Sequence, residues 1–367
     1  IIFNVYQYFF YIVRYERGEV VVLEITELKK SFNKKLVIKH IDFTVEQGKF
    51  VSLLGQSGCG KTTLLRLIAG LETADQGSIR FDGKTYDSGN DKNFVSPADR
   101  DLGMVFQDFA LWPHMTVFQN VAYPLKVRKD TKDLNQRVKL ALKEVQLEDH
   151  IHKSIHELSG GQQQRVSLAR AIISESKLIL MDEPLSALDA GLREDMQLLI
   201  QHLIKTYHMT AIFVTHDQHE AMTMSDEIAV MKNGEIIQFG TPENLYHHPK
   251  NKDVAQFIGK GTYVEGHISK NKFYCNQGLV LHSINGLNDG KYGLLIRPEN
   301  VHVREEGFEA KVLTVSFTGE RYQYTADVND MTVMFYSQQL YHVSETIKLQ
   351  FDTPANYFIK NGGDTHD

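Results

Sequence analysis

"FVSLLGQSGCGKTTLLRLIAG", residues 50–70, opens on an apolar run, turns through Gly55, Gly58 and Gly60, and continues as a helical segment. Its centre matches G-x-x-x-x-G-K-[ST] with a strand before it and a helix after it, which is the context that gives the motif its meaning. The glycines let the backbone curl around a phosphate, so that amide hydrogens and the helix N-terminus point at the anion. Gly55, Gln56, Ser57, Gly58, Cys59, Gly60, Lys61, Thr62 and Thr63 are therefore candidate nucleotide-binding positions. Lys61 is expected to reach the β- and γ-phosphates of ATP, and Thr62 to offer its hydroxyl to Mg²⁺. The bland reading, a glycine-rich turn beside an incidental lysine, does not explain the flanking strand and helix. Cys59 fills a free position of the motif and is read as a bystander.

Outward from this loop, short apolar strands alternate with helical stretches from Leu23 on, predicting an α/β fold with a largely parallel sheet. "KLILMDEP" (177–184) and "TAIFVTHD" (210–217) are apolar runs that turn polar at their C-terminal ends, where open α/β sheets bind ligands. The first delivers Asp182 as a candidate metal carboxylate and Glu183 as a candidate general base; the second delivers His216. A carboxylate pair at a strand end is commonly just solvated, and one of 16 histidines can stand there by chance, so both gain weight only beside the phosphate loop. Between "FVSLLG" (50–55) and "KLILMDEP", Leu134, Val138, Ala141, Leu142 and Val145 share one helix face, within a helix-rich insert of about 100–172. After "FIGKG" (257–261) the segments become short and β-rich, predicting a separate small OB-like barrel over about 262–360.

The chain has 367 residues, 42% of them hydrophobic, enough for two cores. A formal charge of −6 provides no global basic field, so nucleic acid is not an expected partner. Two cysteines, Cys59 and Cys275, are too few for a disulfide framework and point to a reducing compartment. The apolar stretch "IIFNVYQYFFYIV" is too short for a span and is interrupted by Asn4 and Gln7. It lacks the basic leader and cleavage site of a signal peptide. The Arg-Gly-Glu run that follows resembles a translated ribosome-binding site, so residues 1–20 are expected to be an extension upstream of a true start near Val20, or else a disordered or partner-docking tail.

A second helix start, "ELSGGQQQRVSLARA" (157–171), has the same phosphate-binding look and asks why one chain would hold two such sites. The ordered motifs over about 21–258 resemble the ATP-binding subunit of ABC transporters. "GQSGCGKTT" is similar to that family's Walker A loop, "LILMDEP" to Walker B, "LSGGQQQR" to the signature and "SALD" (186–189), ending in Asp189, to the D-loop. Gln107 in "VFQDFALWPHMTV" is similar to the Q-loop glutamine and His216 to the switch histidine. The resemblance implies a homodimer in which Ser159, Gly160, Gly161 and Gln162 of one copy cover the ATP held by the other. It assigns catalysis to Glu183, His216 and Gln107, and Mg²⁺ to Thr62, Asp182 and Gln107. Phe32 would stack on adenine, with an ordinary core phenylalanine as the alternative. Leu111, Trp112 and Pro113 would help form the groove for a transmembrane permease on the cytoplasmic face of the membrane, with a substrate-binding protein as indirect partner.

The β-rich C-terminal segment resembles the accessory domain of importer ATPases for sugars, ferric iron, polyamines and oxyanions. "FIGKG" with "GLLIRPENVHV" is most similar to the ferric-iron importers, and the Ser-Pro and aromatic run of the sugar importers is absent. Ferric iron is thus the expected cargo, with polyamine, sugar, thiamine or another small solute as alternatives. ABC ATPases of DNA repair and the ribosome carry long coiled coils or tandem cassettes, neither of which is present. A stand-alone regulatory ATPase with the barrel as sensor is the remaining rival.

Overall fold

The computed structural model describes residues 23–89, 93–275, 280–281, 286–352 and 357–360. The expectations about residues 1–20 lie outside them. β1 (Leu23–Phe32) and β2 (Lys35–Val45) mix buried and exposed positions, as strands with one wet face do. β3 (Phe50–Gly55) is buried throughout and runs through the glycine loop into α1 (Lys61–Ala69). Then come β4 (Gln76–Phe81), β5 (Lys84–Asp87) and β6 (Leu102–Val105). The helix-rich insert supplies α2 (Val117–Val127), α3 (Leu134–Glu144) and α4 (Gly160–Ile172). β7 (Leu178–Asp182), α5 (Ala190–Thr206), β8 (Thr210–Thr215), α6 (Gln218–Met224), β9 (Glu227–Lys232) and β10 (Glu235–Gly240) follow.

These ten strands form one sheet in the order β5-β4-β1-β2-β10-β9-β3-β8-β7-β6. The β5-β4-β1-β2 pairs are antiparallel, whereas β9-β3-β8-β7-β6 pair in parallel. The C-terminal ends of β3, β8, β7 and β6 therefore stand side by side on one edge. The apolar runs of β7 and β8 are explained by burial on both faces. Leu178, Leu180, Ile212 and Val214 join the core beneath α1, while Ile179, Met181, Ala211 and Phe213 join the core shared with the helical insert. Strand period 2 makes this division. In α3, Val138, Ala141 and Leu142 are buried as the spacing predicts, with Val145 buried just beyond the helix.

The last turn of α1 has a charged cap. Arg100, fully buried, donates from Nη1 to the carbonyls of Leu67 (2.8 Å) and Ile68 (2.6 Å), from Nε to Val95 (2.9 Å) and from Nη2 to Tyr86 (3.2 Å). A cation at a helix C-terminus satisfies otherwise orphaned carbonyls and opposes the negative dipole end. Burial lowers its pKa to about 10, against the helping charge of Asp87. Gly70, with φ 76°, is the left-handed residue that closes the helix, and a side chain there would strike this guanidinium.

The chain divides into two compact units between Phe239 and Gly240. Composition put the break later, at 258–262. α7 (Pro242–His247) and α8 (Lys252–Phe257) belong to the second unit: buried Arg297 reaches back to Tyr246 of α7, and Ala255 of α8 joins the β-rich core. Its guanidinium donates to the carbonyls of Lys260 (3.0 Å) and Tyr246 (3.1 Å) and lies 4.1 Å from the Tyr246 ring centroid. No spacing in the sequence announces that contact.

The rest of the second unit is all β: β11 (Thr262–Ser269), β12 (Lys272–Cys275), β13 (Val280–Leu281), β14 (Gly290–Ile296), β15 (Val301–Phe317), β16 (Tyr322–Val328), β17 (Met331–Ser337), β18 (Thr346–Phe351) and β19 (Phe358–Lys360). They form a five-stranded and a four-stranded sheet over one core containing Phe273, Leu294, Tyr324 and Phe335. The long β15 bends at a bulge between Val303 and Phe308, where Gly307 holds φ 150° and its missing side chain lets the Leu349 carbonyl approach. Among the described residues no helix is long and apolar enough to cross a membrane.

Candidate functional site

The loop after β3 is shaped by its glycines. Gly58 and Gly60 take φ values of 79° and 110°, which side chains disfavour, and a Cβ on Gly55 would collide with the Met231 carbonyl and the Cys59 sulfur. Gly60 precedes α1 with no side-chain cap, and the first turn carries no acidic residue. The N-terminal amides are thus left to an anion. Gln56 and Ser57 are exposed and Thr63 is half-buried. Lys61 is buried and folds over the loop, donating from Nζ to the carbonyls of Gly55 (2.8 Å) and Gln56 (3.2 Å). Burial pushes the Cys59 thiol up, toward its unreactive form, which agrees with a packing role.

Two strands away, β7 brings Asp182 to the same edge. Thr62 Oγ1 donates to Asp182 Oδ1 at 3.1 Å, so the hydroxyl and carboxylate named from sequence meet across 120 residues. Burial raises the Asp182 pKa, and the Thr62 hydrogen bond pulls it back. Two hard oxygens converging beside a phosphate loop suit Mg²⁺, which is usually held by one or two protein oxygens plus water and phosphate. Glu183 adopts φ 42° while its amide still donates to the Val214 carbonyl at 3.1 Å, so the turn out of the ladder is abrupt. Left-handed backbone at a non-glycine residue is a feature that gathers at functional sites. His216, just past β8, places Nδ1 3.1 Å from Glu183 Oε2. A carboxylate only accepts, so this contact puts a proton on Nδ1. Gln107 is exposed, two residues beyond the end of β6.

The second helix start is built differently. Ser159 caps α4 by accepting from the Gln162 amide (3.4 Å), while Gln162 Oε1 accepts from the Ser159 amide (3.0 Å), a reciprocal capping box. Gln162 Nε2 also lies 3.2 Å from His150 Nε2, so this side chain braces its own loop. Ser159 and Gly160 are exposed, and nothing fills the space a Cβ on Gly160 would take. Gly161 is buried where a side chain would strike Leu192. Asp189 caps α5 by accepting from the Leu192 amide at 3.0 Å, which sets the approach of that leucine. Phe32 is 38% exposed at the end of β1, so it is not a core phenylalanine. The Lys30 ammonium lies 5.1 Å from its ring centroid.

Sequence reasoning missed several residues that hold these parts together. Phe109 and Ala110, just after Gln107, both adopt left-handed backbone, with φ 62° and 46°. Arg170 of α4 donates to their carbonyls at 2.8 and 2.6 Å and sits 5.0 Å from the centroid of Trp112. Burial lowers its pKa to about 10, against the helping charge of Asp108. Trp112 packs against Tyr123 at 4.1 Å and is fastened by Asn120, which accepts from its amide at 2.9 Å. One signal was legible: Arg170 follows buried Val166 by four, which puts a charge on an apolar helix face. Gln164 donates to the Pro184 carbonyl at 2.6 Å, tying α4 to the segment after Glu183.

Comparison with known proteins reads the same way. Residues 38–186 match the ABC transporter family model, and residues 294–355 match the TOBE domain model. The spermidine/putrescine import ATP-binding protein PotA of Clostridium novyi (strain NT) is 41% identical over 322 residues, covering 86% of this chain and 91% of the relative. The protein of that name from Clostridioides difficile (strain 630) is 40% identical over 314 residues, covering 84% and 89%. Among solved structures, cbiO1 from Clostridium perfringens, part of the ABC transporter complex cbiONQ, has a TM-score of 0.56 at 30% identity, covering 62% of this chain and 91% of that one. The dimeric structure of MJ0796, a bacterial ABC transporter cassette, has a TM-score of 0.53 at 29% identity, covering 60% and 98%. Iron appears in none of these four descriptions.

Proposed function

The chain belongs to the ABC transporter ATP-binding family and carries a C-terminal TOBE domain; on that premise we propose that it energises an importer of polyamines of the spermidine/putrescine class. The family hydrolyses ATP in step with transport, and the chain is the ATP-binding subunit of an importer. The observation that carries the cargo is the identity of 41% over 322 residues to a polyamine import subunit, an overlap too long to stop within the ATPase unit. It displaces the ferric-iron expectation, which rested on two short C-terminal motifs. Cargo passes through membrane subunits and does not touch this chain, so such motifs hold no direct imprint of it.

In the proposed mechanism Lys61 exchanges the Gly55 and Gln56 carbonyls for the β- and γ-phosphates, and the α1 amides close around them. Thr62, Asp182 and Gln107 would hold Mg²⁺, which when bound neutralises phosphate charge. Glu183 orients and deprotonates the attacking water. His216, with its proton held at Nδ1, fixes that carboxylate. Phe32 stacks on the adenine. Ser159 and Gly160 are exposed, and from a second copy they, with the helix start at Gly161, would cover the γ-phosphate in a drier site where its charge is felt more strongly. Two copies would make two such sites about a two-fold axis. The exposed Gln107 loop with Trp112 would face the permease, making the subunit peripheral at the cytoplasmic side of the membrane.

Reconstitution with the permease tests the cargo. A spermidine- or putrescine-loaded binding protein is expected to stimulate ATP hydrolysis more than a ferric-loaded or sugar-loaded one. Stronger stimulation by the ferric-loaded protein would restore the iron reading.

A further inference from the structure

Arg193 lies in the first turn of α5, four residues after Asp189, and none of the motifs accounts for it. Its Nη2 donates to the carbonyl of Leu188, inside the 186–189 loop, at 3.0 Å. The same guanidinium faces two carboxylates on the other side. Nη1 is 3.8 Å from Asp217 Oδ2 and Nε is 3.8 Å from Glu220 Oε1. Nε is buried and has no hydrogen-bond partner. Both distances exceed a hydrogen bond by about 0.6–1 Å. An unpaired N–H this close to a buried carboxylate is costly, and a small displacement would pair it.

The two carboxylates are not free surface groups. Glu220 Oε2 accepts from Thr215 Oγ1 at 2.6 Å, and the Asp217 amide donates to that hydroxyl at 3.0 Å. Asp217 Oδ1 caps α6 by accepting from the amides of His219 (2.7 Å) and Glu220 (3.3 Å). His216 stands between Thr215 and Asp217 in the chain, and its ring reaches Glu183. Thr215, Asp217 and Glu220 are thus joined by hydrogen bonds on either side of His216 in the chain, facing the Arg193 guanidinium.

We propose that Arg193 is a positioning residue that couples the 186–189 loop to His216, by closing its guanidinium onto Asp217 and Glu220 when that loop shifts. The proposal rests on the catalytic reading given above. Lysine cannot replace it, since the Leu188 carbonyl and two carboxylates are addressed by separate nitrogens of one planar fork.

The test uses the full chain with MgATP: wild type, Arg193→Ala, Arg193→Lys, Glu220→Gln and the Arg193→Lys/Glu220→Gln double variant. The expected result is a kcat lower by about tenfold or more in each single variant, because small misplacements near the reacting atoms are costly. KM and equilibrium ATP binding are expected to stay within roughly twofold. The double variant is expected to be no slower than the slower single variant, as for two residues acting through one contact. Unchanged kcat in Arg193→Lys, additive losses in the double variant, or ATP binding that falls in parallel with kcat would each overturn the proposal. If Arg193→Ala does not fold, the lysine and glutamine variants carry the test. A wild-type chain that hydrolyses no ATP would overturn the catalytic reading itself, and the coupling with it. Active wild type with undisturbed variants would overturn the coupling alone.

Discussion

His216 Nδ1 and Glu183 Oε2 stand 3.1 Å apart across the ends of β8 and β7, two strands joined in parallel register. The pairing sets the ring against the carboxylate proposed as the base. Because β3 is the next strand over, the phosphate loop lies on the same edge.

Glu183→Gln removes the base while keeping its size and its contact with His216. ATP binding should persist and hydrolysis should fall by about 10²–10⁴, the usual share of a general base. With no turnover to separate the copies, light scattering with MgATP should report a dimer. A monomer at saturating MgATP would contradict head-to-tail closure.

Lys61→Ala should act on binding itself. The lost charge-assisted hydrogen bonds are worth about 1.5–3 kcal/mol, or roughly ten- to a hundredfold in ATP affinity. Equilibrium titration with a fluorescent nucleotide measures this directly, and unchanged affinity would remove Lys61 from the phosphate site.

Ser159→Arg should separate the proposed roles of the two helix starts. Since Ser159 is exposed and bonded only within its own cap, nucleotide binding by a dilute single subunit should be nearly intact. Turnover at concentrations that permit dimers should vanish. Equal loss of both would mean that Ser159 serves the ATP of its own chain.

Arg100→Met tests the fold rather than the chemistry. It leaves the Leu67, Ile68, Val95 and Tyr86 carbonyls without their donor at the end of α1. The expected cost is about 3 kcal/mol or more, a fall in Tm of roughly 6–12 °C for a unit of this size. Calorimetry would show it, with the β-rich unit melting as before.

The contrast between these residues explains what could be read in advance. Lys61, Thr62, Asp182, Glu183 and Ser159 sit in contiguous motifs, where local backbone demands and a few fixed neighbours limit the residue types. Arg100 and Arg193 are single charges in otherwise ordinary stretches, and Arg170 shows only as a charge on an apolar helix face. Each earns its role from carbonyls or carboxylates supplied by other elements. The ferric-iron expectation rested on the short "FIGKG" and "RPENV" motifs, whereas the similarity to spermidine/putrescine import subunits runs along most of the chain.

The amino-acid sequence alone determined the α/β class and pointed to the candidate phosphate loop, the carboxylates and a second helix start, since each depends on neighbours within one turn or one strand. Only the tertiary structure decided that Thr62 meets Asp182, that Glu183 meets His216, that Phe32 is exposed and that 240–260 go with the barrel. Those outcomes depend on the order in which strands join the sheet and on which buried cation reaches which carbonyl. Such contacts span tens to more than a hundred residues, and no local pattern encodes them.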